Sequence, residues 1–147
     1  MKKKELQCIR CTRKDPCVTV YHGTSVNSVS SIRRQGMKDQ YATTSVYRAV
    51  WFGRDFGRPI LLKIRTPLSK LRWADPEHRT IRKVALSDLS REERVRDAFE
   101  ADTGKDMYLF IKGTIKPCQI HILPRKELVK RFSRTPAKYK YVQDDLL

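Results

Sequence analysis

Residues 18–22, Val-Thr-Val-Tyr-His, alternate between two kinds of position and run directly into Gly23. Such alternation marks a strand, because successive side chains point to opposite faces. It places His22 on the side of Val18 and Val20, where apolar residues point. A glycine immediately after the histidine lets a ligand or another backbone approach closely. A titratable ring on the apolar side of a strand end restricts the fold more than any other stretch. Whatever packs there has to leave the imidazole something to bind.

The segments on either side give an order of elements. A Thr24 or Ser25 cap predicts a helix through Val26, Val29 and Ile32, with Arg33 and Arg34 near its end and Gly36 as its stop. After Tyr41-Ala-Thr-Thr-Ser, a second helix is expected from a Thr44 or Ser45 cap. It buries Val46, Ala49, Val50, Gly53 and Phe56 and ends at Gly57. Pro59 precedes an apolar strand over residues 60–65. Residues 67–86 show no clean period and read as a loop with one short strand or turn around the Asp75-Pro76 pair. The run Ser-Arg-Glu-Glu at 90–93 fits a capping box and predicts a helix through Val95, Ala98 and Phe99. Residues 107–111 (MYLFI) and 118–123 (CQIHIL) read as strands joined by a turn containing Gly113 and Pro117, and Pro124 opens a basic terminal helix. The expected organisation is one mixed α+β domain over residues 1–147, with a basic cysteine-containing arm at 1–16 and a Lys/Tyr tail at 134–147.

The chain's 147 residues suffice for one core, and its 39% hydrophobic content includes neither a long apolar span nor a signal-peptide core, so a soluble cytoplasmic monomer is the default expectation. Lys and Arg outnumber Asp and Glu by 32 to 16, a formal net charge of +16. That excess exceeds what solubility requires and implies a polyanionic partner, most often nucleic acid, whose counterions are released as phosphates are neutralised. An acidic protein surface is the other candidate, and nothing points to a membrane. Cys8-x-x-Cys11, with Cys17 close by and Cys118 far along the chain, has irregular spacing for zinc. Reduced, structurally incidental thiols are favoured over zinc. They are favoured further over disulfides, since nothing suggests an oxidising compartment. No metal site is expected.

No phosphate-cradling P-loop, GxSxG elbow, HExxH or paired acidic cluster is present. His78, in a polar stretch, and His121, between two isoleucines, read as ordinary surface residues. His22 differs because Gly-Thr-Ser comes directly after it. The order strand–Tyr-His-Gly-Thr-Ser–helix–Gly, then Tyr-x-Thr-Thr-Ser–helix with Arg-Ala-x-x-Phe, then an apolar strand, resembles the ADP-ribosyltransferase fold. It looks closest to the branch whose active sites use a His-Tyr-Glu set. The likeness covers residues 18–65, and MYLFIKGTIKPCQI falls where that fold places its third catalytic residue.

The resemblance implies a single ADP-ribosyltransferase-like domain, split mixed/antiparallel sheets flanked by short helices, with NAD as a substrate. Breaking the nicotinamide–ribose bond creates an oxocarbenium-like sugar, which a carboxylate stabilises. His22 would hold a ribose hydroxyl, the backbone of Gly23 the carboxamide, and Tyr41 the nicotinamide face. Thr24, Ser25 and Thr44 would be lesser contacts, and Arg33 or Arg34 would reach the pyrophosphate. The chain departs from the branch at the third residue, where it offers Asp106, one methylene shorter than glutamate, or Tyr108 in the same register. Asp106 is favoured because charge stabilisation needs a carboxylate; Glu100 is a further option. If Tyr108 is the equivalent, the domain would bind the dinucleotide without cleaving it efficiently.

Taken with the charge, the leading expectation is a mono-ADP-ribosyltransferase acting on a nucleic acid or a nucleic-acid-associated protein. Two alternatives stand beside it. One is an RNA 2′-phosphotransferase using NAD, since YHGTS, SIRRQG and FGRDFGRPILLKI are similar to segments of the tRNA 2′-phosphotransferases. Against it, those enzymes carry a histidine where this chain has YATTS. The other is a non-catalytic basic nucleic-acid-binding module whose His-Gly-Thr turn is only a turn.

Overall fold

The computed structural model describes residues 8–44, 46, 49, 59–75, 77, 79–89, 108–124, 126, 127 and 130. They form an α+β arrangement of two antiparallel sheets with short helices. The strands are β1 (Cys17–Ser25), β2 (Met37–Ala42), β3 (Pro59–Pro67), β4 (Leu71–Ala74), β5 (Thr80–Lys83), β6 (Tyr108–Ile115) and β7 (Ile120–Ile122). Sheet A has the order β1-β3-β7 and sheet B the order β2-β6-β4-β5. β1 and β2 are therefore edge strands of different sheets. They lie side by side, joined by one isolated bridge between Tyr21 and Thr43.

Alternation decides which faces are buried. In β1 and β3, Val20 pairs with Ile64 and His22 with Leu62, so these residues share one face of sheet A. Val20, Leu62 and Ile64 meet Leu71, Trp73, Leu109, Ile111 and Ile115 of sheet B in one apolar core between the sheets. Full burial of each such aliphatic side chain contributes on the order of 1.5–3 kcal/mol. Ile32 joins this core from α1 (Val29–Gln35), which comes after a single 3-10 turn, Val26–Ser28. The helix stops at Gly36, as expected. Its φ of 72° suits glycine, and a Cβ there would lie 2.0 Å from the Ile115 carbonyl oxygen. Of the expected second helix, Val46 and Ala49 are described; both are helical and Ala49 is buried. The expected helix over 90–99 and the tail at 134–147 lie outside the described residues.

Several expectations need correction. Residues 37–42, Met-Lys-Asp-Gln-Tyr-Ala, form β2 although they lack apolar alternation. The strand exists because β6 pairs with it from Met37–Ile115 to Ala42–Leu109. Asp39 (φ 51°) sits at a register shift, and its carboxylate accepts the Gly113 N–H at 2.6 Å. Gly113 therefore lies in a bulge within β6 and not in a turn between strands. The segment expected as a loop at 67–86 holds the β4–β5 hairpin, whose turn is tied by Asp75: its carboxylate accepts the N–H groups of Glu77 and Arg79. The strands expected at 107–111 and 118–123 are not hairpin partners. β6 belongs to sheet B, β7 pairs with β3 in sheet A, and Cys118 sits in the 3-10 turn Pro117–Gln119 between them.

The cysteines are the largest correction. Cys8 is bonded to Cys118 and Cys11 to Cys17, with Cα atoms 6.1 and 5.2 Å apart, so none of these thiols is free. Both distances suit a disulfide. Residues 8–17 thus cross the end of sheet A from the turn before β7 to the start of β1. Asp15 fastens the crossing by accepting the backbone N–H and the hydroxyl of Ser69 at 2.8 and 2.6 Å.

Candidate functional site

The site is built where the two sheets part. Tyr21 and Thr43 exchange both backbone hydrogen bonds, 2.7 and 2.9 Å. In an antiparallel ladder the next such rung would join Gly23 to Tyr41, two residues further along each strand. Here the Tyr41 carbonyl instead lies 2.7 Å from Nδ1 of His22. The imidazole takes the place of a rung, and β1 leaves β2 at that point. Because residues two apart present their peptide groups to the same side, the N–H and C=O of Gly23 point toward the gap. Gly23 is buried.

The contact also defines the state of His22. A carbonyl oxygen only accepts, so Nδ1 carries the proton and Nε2 of the neutral ring presents a lone pair. Burial lowers the pKa of His22 below its ordinary value, and the Tyr41 hydrogen bond offsets part of that effect. The ring is therefore neutral at physiological pH and offers an acceptor at Nε2.

Tyr41 is held at both ends. Its carbonyl accepts from His22, and its hydroxyl donates to the Asp75 carbonyl at 2.5 Å, at the start of the β4–β5 turn. Its ring stands edge-on to Tyr108 at 5.7 Å and to Phe110 at 5.4 Å between centroids. Tyr41 pairs with Phe110 across the β2–β6 ladder, so the three aromatics share the face of sheet B opposite the main core.

The structure brings His22, Gly23 and Tyr41 together. Thr24 and Ser25 continue β1, and Ser25 is buried, with no side-chain hydrogen bond to the turn it precedes. Thr44 comes next after the bridge, and its hydroxyl oxygen is buried without a hydrogen-bond partner. Tyr108 stands beside Tyr41, whereas Asp106 and Glu100 lie outside the described residues. Arg33 and Arg34 are exposed in the last turn of α1. His121 is exposed, as expected, and His78 lies outside the described residues. No group of His, Cys, Asp or Glu suited to a metal occurs among the described residues.

Sequence reasoning missed Thr43, Asp75 and Phe110. Phe110 shares the alternation of Tyr108 and was legible as a face neighbour. Thr43 and the Asp75 carbonyl act through backbone pairing, which leaves no mark in residue type. Compared with known proteins, the chain matches no family model and no curated sequence.

Proposed function

We propose that the protein is a mono-ADP-ribosyltransferase that uses NAD as a substrate and a nucleic acid, or a protein bound to one, as acceptor. The observation that carries this reading is the His22–Tyr41 contact at the parting of β1 and β2. It sets the His22 imidazole against the Tyr41 carbonyl, beside the Gly23 peptide and at the base of a phenol anchored on Asp75. The residues suit the dinucleotide. Nε2 of His22 accepts from a ribose hydroxyl, and the Gly23 peptide, donor and acceptor at once, matches a carboxamide.

In the proposed reaction the bond from the nicotinamide nitrogen to ribose C1′ breaks, and its electron pair leaves on nicotinamide. An acceptor nucleophile bonds to C1′ and gives up its proton. Asp106, the favoured third residue, would stabilise the developing positive charge and take that proton. The fold proposed is that of the ADP-ribosyltransferases, with the divergence of β1 from β2 as its support. A second reading rests on Tyr108. Its ring beside Tyr41 suits a domain that binds NAD with an aromatic at the third position and does not transfer.

No helix among the described residues is long and apolar enough to cross a membrane. Two disulfides weigh against the expected cytoplasmic setting and favour a chain that works in an oxidising environment.

The test is incubation with nicotinamide-labelled and adenine-labelled NAD, alone and with RNA, DNA or protein. Wild type should release nicotinamide and label an acceptor, and His22→Ala should lower kcat/KM by about 100-fold or more with an unchanged circular dichroism spectrum. Asp106→Asn separates the two readings: it abolishes release if Asp106 acts, whereas a binding domain shows an NAD-dependent rise in Tm and no release at all. A wild type that neither binds nor cleaves NAD removes both.

A further inference from the structure

The face of sheet A turned away from the main core carries two contrasting halves. At one end Gly23, Leu61 and Leu123 are buried. At the other, the β1–β3–β7 register lines up Tyr21, Lys63 and His121 in one row and places Thr19 beside Arg65 in the next. Lys63, Arg65 and His121 are exposed and Tyr21 is partly exposed. None of the three strands contains an aspartate or glutamate. At the Arg65 end, the Gln119 side chain donates to the Arg65 carbonyl at 3.1 Å, directly after the disulfide-bonded Cys118. The crossing segment held there by both disulfides adds Arg10, Arg13 and Lys14, all exposed.

From this arrangement we infer that the outer face of sheet A docks single-stranded nucleic acid. The inference rests on the proposed nucleic-acid acceptor and assigns it a surface. A flat sheet face with a tyrosine and flanking cations suits a single strand, whose bases stack while its phosphates meet Lys and Arg. A closed duplex offers phosphates but no free base face for Tyr21. The sheet's charge, within a chain of net charge +16, selects a polyanion. Tyr21 sits at the β1 end of the row and is also the residue at which β1 and β2 part. A strand lying on this face therefore ends beside the point where β1 and β2 part, so binding and the proposed transfer are neighbouring events.

The experiment measures fluorescence anisotropy of a short labelled single-stranded oligonucleotide against salt, without NAD, using the oxidised full chain. RNA and DNA versions identify the sugar, and binding of either supports the proposal. Replacing the two exposed cations together (Lys63→Ala with Arg65→Ala) should reduce the slope of log K against log salt by about 1.4, from about 0.7 per phosphate contact on a single strand. Tyr21→Ala should weaken binding by about ten-fold. Should Tyr21→Ala fail to fold, the double variant carries the decision alone, since both its positions are exposed. An unchanged slope and affinity in the double variant overturns the proposal, as does tighter binding of duplex or of phosphatidylserine vesicles. Nicotinamide release without nucleic acid is measured in parallel. If release persists while binding fails, the docking face is wrong and the enzyme reading stands; the reverse outcome removes the enzyme and keeps the face.

Discussion

Removing the long-range disulfide should cost a large fraction of the stability a domain of this size possesses. Cys8 and Cys118 are 110 residues apart in sequence, whereas Cys11 and Cys17 are separated by 6. In the chain-entropy account, a cross-link stabilises by restricting the unfolded ensemble, and the restriction grows with the logarithm of the loop. The same relation gives about 4.8 kcal/mol for the long loop and about 2.2 kcal/mol for the short one at 25 °C. Natural domains are stable by roughly 5–15 kcal/mol, so the first figure is a large fraction of the whole. The perturbation is Cys8→Ser with Cys118→Ser, compared with Cys11→Ser with Cys17→Ser, each under oxidising conditions. Guanidinium unfolding should show the larger loss for the first pair, and its Tm should fall by roughly 10–20 °C. Wild type should yield no free thiols to an alkylating agent until it is reduced. Four reactive thiols in the folded, unreduced protein would refute the reasoning. So would a greater loss from opening the short loop than from opening the long one.

The buried imidazole and two positive-φ glycines each lead to a measurable outcome. Because burial depresses the His22 pKa, the unfolded chain binds more protons at this residue as pH falls below about 6.5. The neutral ring's contribution is complete above that value and is lost as pH falls toward the folded pKa. Denaturant unfolding between pH 7.5 and 5 should therefore show a decline that His22→Gln lessens; an identical slope in the variant would count against the buried neutral ring. Gly36 and Gly113 both have positive φ, but a Cβ on Gly36 meets the Ile115 carbonyl at 2.0 Å while one on Gly113 meets nothing within 4 Å. Gly113→Ala should cost about 1–2 kcal/mol from its backbone angle alone, and Gly36→Ala distinctly more in the same unfolding assay. Equal costs would mean that the approach of α1 to β6 is not rigid.

The parts of the site that depend on local pattern were legible in the sequence. The period of residues 18–22 placed His22 on the Val20 side, and Gly36 ended a helix whose apolar positions recur at helical spacing. The strand at 60–65 was visible in its aliphatic run. β2 was not, because Lys38, Asp39 and Gln40 are held in a strand by pairing with β6 and not by their own preference. The pairing of Cys8 with Cys118 was equally hidden. It arises because β7 joins sheet A on the far side of β3, which brings distant segments to one end of the sheet. The His22–Tyr41 proximity was expected from family likeness, but its form was not. That an imidazole would occupy a ladder position is a property of two strands together, and neither strand's residues record it alone.

The hydroxyl of Tyr41 ends on Asp75, and the same residue's carboxylate gathers Glu77 and Arg79 into the neighbouring turn. One aspartate thereby couples the tilt of an aromatic plate to the shape of a surface hairpin. A change of hairpin length would reach Tyr41 through the Asp75 carbonyl. Loop variation on the outside of this protein is thus a means of shifting Tyr41 with no substitution in β2 or β6.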